Sequence, residues 1–129
     1  MPKRLALVAH DAKKDALVTW AKAKRSDLEG FDLYATGTTG GRLADDTGLS
    51  VSKLLSGPYG GDAQLGAMIA ECTLDGLVFF IDPMTAVPHD VDVKSLLRLA
   101  ILYDTPLAVN ETTADAVLFA LCAGGADAD

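Results

Sequence analysis

The run Leu77-Val78-Phe79-Phe80-Ile81 constrains the fold more than any other stretch of this chain. Five successive apolar side chains leave a strand no polar face, so both of its faces must be covered, as they are in a parallel sheet layered between helices. The rest of the sequence supplies the partners. Short apolar runs at 4–9, 31–35, 51–55 and 106–109 alternate with helix-forming stretches at 11–25, 40–46, 62–71, 91–103 and 113–121. The first of those stretches carries an apolar stripe on Ala16, Leu17, Trp20 and Ala21. Five strand-helix units in succession predict an α/β fold: a single-domain, doubly wound, mainly parallel five-stranded sheet with helices on both faces, Rossmann-like or flavodoxin-like in its layering.

Length fits this reading, since 129 residues form one domain of ordinary size. The domain is expected to occupy residues 1–122, with 123–129 as a short acidic tail that frays. Half of the residues are hydrophobic and 22% are charged, which fits a packed chain rather than a disordered one. A formal net charge of -7 repels nucleic acid and anionic membrane, so neither is an expected partner. A small phosphorylated ligand stays compatible with that charge, because helix N-termini and a lysine or two can bind it locally. No apolar run is long enough for a bilayer and the start lacks signal-peptide character, so the expected compartment is the cytoplasm. Cys72 and Cys122 are far apart and follow no metal or redox spacing, and are expected as free thiols.

Ligands of a doubly wound sheet bind beyond the carboxyl ends of its strands, which directs attention to five loops. The first holds His10 and Asp11, with Lys14 one turn later; such a pair also serves as an ordinary helix cap. The second, Thr36-Gly37-Thr38-Thr39-Gly40-Gly41, combines glycines that allow close backbone approach with hydroxyls and N–H groups at a helix start, a cradle for phosphate oxygens. It lacks the spacing of a nucleotide P-loop or a dinucleotide fingerprint, so the phosphate would sit on a small molecule. The third, Ser56-Gly57-Pro58-Tyr59-Gly60-Gly61-Asp62, ends in a carboxylate that could cap the next helix or act as a base. The fourth gathers Asp82, His89, Asp90 and Asp92, and the fifth, Asn110-Glu111-Thr112-Thr113, reads only as a helix start. Both histidines of the chain thus fall on strand-end loops, suited to acid-base work or to polarising a carbonyl. Two histidines with several aspartates also match a metal-dependent hydrolase in composition, although no metal-ligand spacing supports it.

Read together, the segments Val8-Ala9-His10-Asp11, 35–40, Leu55-Ser56-Gly57-Pro58, Gly60-Gly61-Asp62, Asp82-Pro83 and Val87-Pro88-His89-Asp90 with Asp92 resemble the methylglyoxal synthase family, over about 5–120. The resemblance implies conversion of dihydroxyacetone phosphate to methylglyoxal and inorganic phosphate, a glycolytic bypass, with no cofactor and no metal. Phosphate would be product and inhibitor, and the assembly a homohexamer. It further implies that Asp62 is the base, that His10 and His89 contact the carbonyl and hydroxyl oxygens, and that Lys14, Thr36, Gly37, Thr38, Thr39, Ser56 and Gly57 hold the phosphate. Asp11, Asp82 and Asp92 would form the surrounding carboxylate network. Longer family members carry basic residues beyond this C-terminus, so no arginine is expected from that end, and phosphate-driven cooperativity that depends on it is put in doubt. The same fold also serves as a ligand-binding regulatory domain in larger synthetases; Asp62 and His89 together favour an enzyme.

Overall fold

The computed structural model describes residues 2–84 and 90–127. Five strands, β1 (Arg4–Ala9), β2 (Asp32–Thr36), β3 (Val51–Leu54), β4 (Gly76–Phe80) and β5 (Leu107–Ala108), form one sheet in the order β3-β2-β1-β4-β5. Every neighbouring pair is parallel, with Leu7 opposite both Ala35 of β2 and Val78 of β4. The helices are α1 (Lys14–Ala23), α2 (Arg25–Leu28), α3 (Gly37–Thr47), α4 (Gly61–Ala70), α5 (Asp90–Leu102) and α6 (Glu111–Asp127).

The period-two geometry of a strand divides β1 and β4 cleanly between two cores. Leu5, Leu7 and Ala9, with Val78 and Phe80, pack under α1, α3 and α6 through Leu17, Trp20, Leu43 and Leu118. Their neighbours Ala6, Val8, Leu77 and Phe79 face the opposite way, against Leu65 and Ile69 of α4 and Leu96 of α5. Each fully buried leucine contributes about 1.5–3 kcal/mol relative to exposure, so both faces of the apolar strand runs are committed to helices. The expected doubly wound architecture is therefore the observed one, with its parallel character complete.

Several element ends differ from the sequence expectation, for local reasons. The stretch 11–25 is not one helix: a 3-10 turn (Asp11–Lys13) precedes α1, and Lys24, at φ -102° and ψ 14°, interrupts the run before α2. Helix α3 begins at Gly37 rather than at 40. Its glycines cost about 1 kcal/mol each in helix propensity, yet Thr39, Gly40 and Leu43 are buried, and that packing prevails. Helix α6 starts at Glu111, where the Asn110 carboxamide oxygen accepts the Thr113 N–H at 2.9 Å as an N-cap, and continues past the expected end at 121 to Asp127. Cys72 and Cys122 are free and exposed. No helix among the described residues is long and apolar enough to cross a membrane.

Candidate active site

Strand order reverses between β1, whose successors run out to β3, and β4, whose successor is β5. Chain leaving β1 and β4 in opposite directions opens a crevice at their carboxyl ends. A cavity of about 470 Å³ occupies that place. It is lined by His10, Asp11, Lys14, Thr36, Gly37, Thr38, Thr39, Ser56, Gly57, Asp62 and Asp82. These come from four of the five loops selected from sequence. His89 lies outside the described residues, and of Asp92 only the backbone, in the first turn of α5, is described.

One wall of the cavity is built from helix beginnings. His10, Thr36 and Ser56 each hold the N-cap position of the segment that follows, with extended backbone, and none of the three side chains makes a capping hydrogen bond. The first N–H groups of a helix have no intrahelical acceptor, and here their usual side-chain acceptors are not engaged either. Such ends attract anions through both their donors and the helix dipole. Lys14 adds the cation: its Nζ donates to Thr38 Oγ1 at 2.9 Å and pairs with Asp11 Oδ1 at 2.8 Å. The hydrogen bond from Lys14 to Asp11 and the lysine charge hold the Asp11 carboxyl below the usual carboxylate range. Asp11 is almost fully exposed at the mouth of the cavity, so it restrains Lys14 from the solvent side.

The two Gly-rich loops interlock. A Cβ on Gly37, whose φ is +34°, would lie 2.3 Å from Ser56 Oγ and 3.0 Å from Ser56 Cα. Only glycine lets the starts of α3 and of the 3-10 turn (Gly57–Tyr59) come this close together. Asp62 is not the N-cap of α4. Gly60 holds that position at φ +112°, and Asp62 is the second helical residue. Gly61 is required where it stands, because a Cβ there would meet the Leu55 carbonyl oxygen at 2.0 Å. The tight turn presents the Asp62 carboxylate to Gly57, where a methyl group would sit 3.5 Å from both Oδ1 and Oδ2. Carboxylate and anion cradle are therefore immediate neighbours.

On the far side, His10 Nδ1 accepts the Asp82 N–H at 2.9 Å. The His10 backbone N–H donates to the Phe80 carbonyl at 3.1 Å, and the Phe79 ring meets the imidazole edge to face, with centroids 5.2 Å apart. An imidazole that accepts at Nδ1 carries its proton on Nε2, the tautomer able to donate to a ligand oxygen. Asp82 Oδ1 in turn accepts the Met84 N–H at 3.0 Å, which shapes the turn that presents the Asp82 N–H. Among the described residues no three His, Cys, Asp or Glu side chains are grouped so as to hold a metal ion.

Sequence reasoning did not select the apolar wall formed by Val8, Phe79 and Val93. A signal for it existed: Val8 and Phe79 are register partners on one face of the sheet, at the ends of the two runs nearest the loops. A wall of this kind excludes water and strengthens the electrostatics of the groups opposite.

The family model for the MGS-like domain matches residues 16–109. A methylglyoxal synthase of Leptospira interrogans is 55% identical over 113 residues, which cover 88% of this chain and 76% of the relative. One from Rhizobium rhizogenes is 55% identical over 117 residues, covering 90% and 93%. The crystal structure of methylglyoxal synthase from Elizabethkingia anophelis superposes with a TM-score of 0.86 at 50% identity, covering 91% of this chain and 77% of that one. With one family model over most of its length and relatives this similar over nearly all of it, the chain belongs to the methylglyoxal synthase family.

Proposed function

We infer that this chain converts dihydroxyacetone phosphate to methylglyoxal and inorganic phosphate. The observation that supports the reading is the nearness of the Asp62 carboxylate to Gly57, where an added methyl group would lie 3.5 Å from both carboxylate oxygens, in a cavity lined also by Lys14 and the Gly37 helix start. The residue roles are part of the same proposal. Helix starts at Gly37 and Gly57, with Lys14, Thr36, Thr38, Thr39 and Ser56, hold the phosphate dianion. Asp62 removes a proton from the hydroxymethyl carbon, forming a double bond between that carbon and the former carbonyl carbon. His10, donating from Nε2, stabilises the negative charge that develops on the carbonyl oxygen, with His89 as second donor.

The hydroxyl of the deprotonated carbon then gives up its proton and becomes the aldehyde oxygen. The double bond moves toward the carbon bearing phosphate, the bridging C–O bond breaks, and its electron pair leaves with phosphate. The enol released rearranges to methylglyoxal. Elimination requires the bridging C–O bond to stand perpendicular to the enediolate plane, so the cradle sets the reaction's outcome as well as its affinity. Asp11 and Asp82 act at one remove, on Lys14 and on His10; Asp92 is assigned to the same carboxylate network.

Free phosphate, able to occupy the same cradle, is proposed as an inhibitor. The proposed compartment is the cytoplasm, where phosphorylated trioses are made, and the proposed assembly is a homohexamer. Large apolar side chains left exposed on one copy, Ile101, Leu102 and Phe119 among them, support an assembly. Light scattering should return six times the 13.5 kDa chain mass; a monomer would contradict the hexamer. For the activity, the purified chain should release methylglyoxal and phosphate one for one from dihydroxyacetone phosphate, at a rate that a chelator leaves unchanged. Release of neither product would overturn the proposal, and a chelator-sensitive rate restored by a divalent cation would move it to a metal-dependent reaction.

A further inference from the structure

We propose that Gln64 is a positioning residue that locks the phosphate loop to the helix carrying the base, and thereby commits the enediolate to elimination. The inference rests on the functional reading above. Gln64 does not line the cavity. Its Oε1 accepts the Leu55 N–H at 2.8 Å, reaching back across nine residues of sequence. The sheet leaves this exposed donor without a ladder partner. Strand β3 is an edge strand, its ladder with β2 ends at the pair Thr36 and Leu54, and Leu55 is the next residue.

Leu55 is held from two sides. Its carbonyl oxygen lies against Gly61, so close that a Cβ there would be 2.0 Å away, and its N–H is held by Gln64. Ser56 and Gly57 follow directly, and the Ser56 carbonyl accepts the N–H groups of Tyr59 and Gly61 at 2.9 and 3.0 Å. Gln64 stands two residues after Asp62 on α4, and its own N–H donates to the Gly60 carbonyl at 3.0 Å. One helical turn therefore fixes both the carboxylate that takes the proton and the loop that holds the leaving group.

That coupling matters because the enediolate has two exits. It can be reprotonated on carbon, which returns substrate carrying a solvent hydrogen, or it can expel phosphate if the bridging bond stays perpendicular to its plane. Deprotonation needs the hydroxymethyl carbon near Asp62. Expulsion needs the phosphate loop in register as well, and a small misplacement of reacting groups costs one to two powers of ten in rate. Freeing the Leu55 N–H loosens the second requirement while leaving the first.

The test uses the full chain in heavy water with dihydroxyacetone phosphate, measuring deuterium incorporated into remaining substrate against phosphate released. In Gln64→Leu the ratio of exchange to elimination should rise about tenfold, with kcat for phosphate release falling by the same factor and KM changing less than about twofold. Gln64→Glu, which keeps an acceptor oxygen at that place, should restore the ratio toward wild type. An unchanged ratio in Gln64→Leu, or an equal fall of exchange and elimination without rescue by Gln64→Glu, would overturn the role. Far-UV circular dichroism distinguishes a misfolded variant, and Gln64→Glu, if folded while Gln64→Leu is not, must then match the wild-type ratio. Absence of both exchange and phosphate release in the wild type would refute the functional reading instead.

Discussion

At His10 a single hydrogen bond decides what chemistry the side chain can do. An imidazole at a strand end is legible in the sequence as a group for acid-base work, but its tautomer is not, because the Asp82 N–H that fixes it comes from the loop after β4, 72 residues further on. Acceptance at Nδ1 makes the ring a donor through Nε2, suited to stabilising an oxyanion rather than to removing a proton. Nitrogen-15 NMR of the imidazole at neutral pH should show the Nε2–H form; a ring protonated at Nδ1 alone would contradict this arrangement. Asp62 shows the converse. Its side chain was legible as a base and as a cap, and the fold settles its position: Gly60 takes the cap, and Asp62 stands inside the first turn. The distinction depended on a positive φ at Gly60 and on packing at Gly61 that leaves no room for a Cβ beside the Leu55 carbonyl, neither of which composition reveals.

Helix ends are where sequence and structure part, and where the site is made. A Gly/Thr-rich segment reads as a loop because propensity disfavours a helix, yet burial of Thr39 and Leu43 starts α3 at Gly37, and its first residues line the cavity. A polar contact also joins α1 to α6. Trp20, 2% exposed on α1, donates its indole N–H to Asp115 Oδ1 of α6 at 2.8 Å. That bond is the main reason the Asp115 carboxyl is held below the usual carboxylate range, with Lys24 assisting. A depressed carboxyl contributes stability that is present above the ordinary carboxylate range and lost as pH falls through its folded value. Trp20→Phe should therefore cost about 2 kcal/mol at pH 7, from the lost bond and the smaller ring. The difference from wild type should narrow in acid, leaving the packing component. Urea unfolding at pH 7 and pH 3 checks this; a difference that widens in acid would contradict the assignment.

For the molecule as a whole, the alternation of apolar runs with helical stretches was enough to specify the architecture, because strands without a polar face have few other places to go. The architecture then located the site, since a sheet whose strand order reverses opens one crevice, and four of the five strand-end loops line it. Legibility stopped at what only convergence in space decides: the interlock of Gly37 with Ser56, the Gln64 clamp on Leu55, and the apolar wall of Val8 and Phe79. In the proposed reaction this crevice joins proton abstraction by Asp62 to phosphate elimination. The most direct measurement compares wild type with Asp62→Asn for release of methylglyoxal and phosphate from dihydroxyacetone phosphate, with phosphate binding followed by calorimetry. Product release by Asp62→Asn should fall about 10²–10⁴-fold with phosphate affinity retained within a few fold. Product release by Asp62→Asn at the wild-type rate would contradict it.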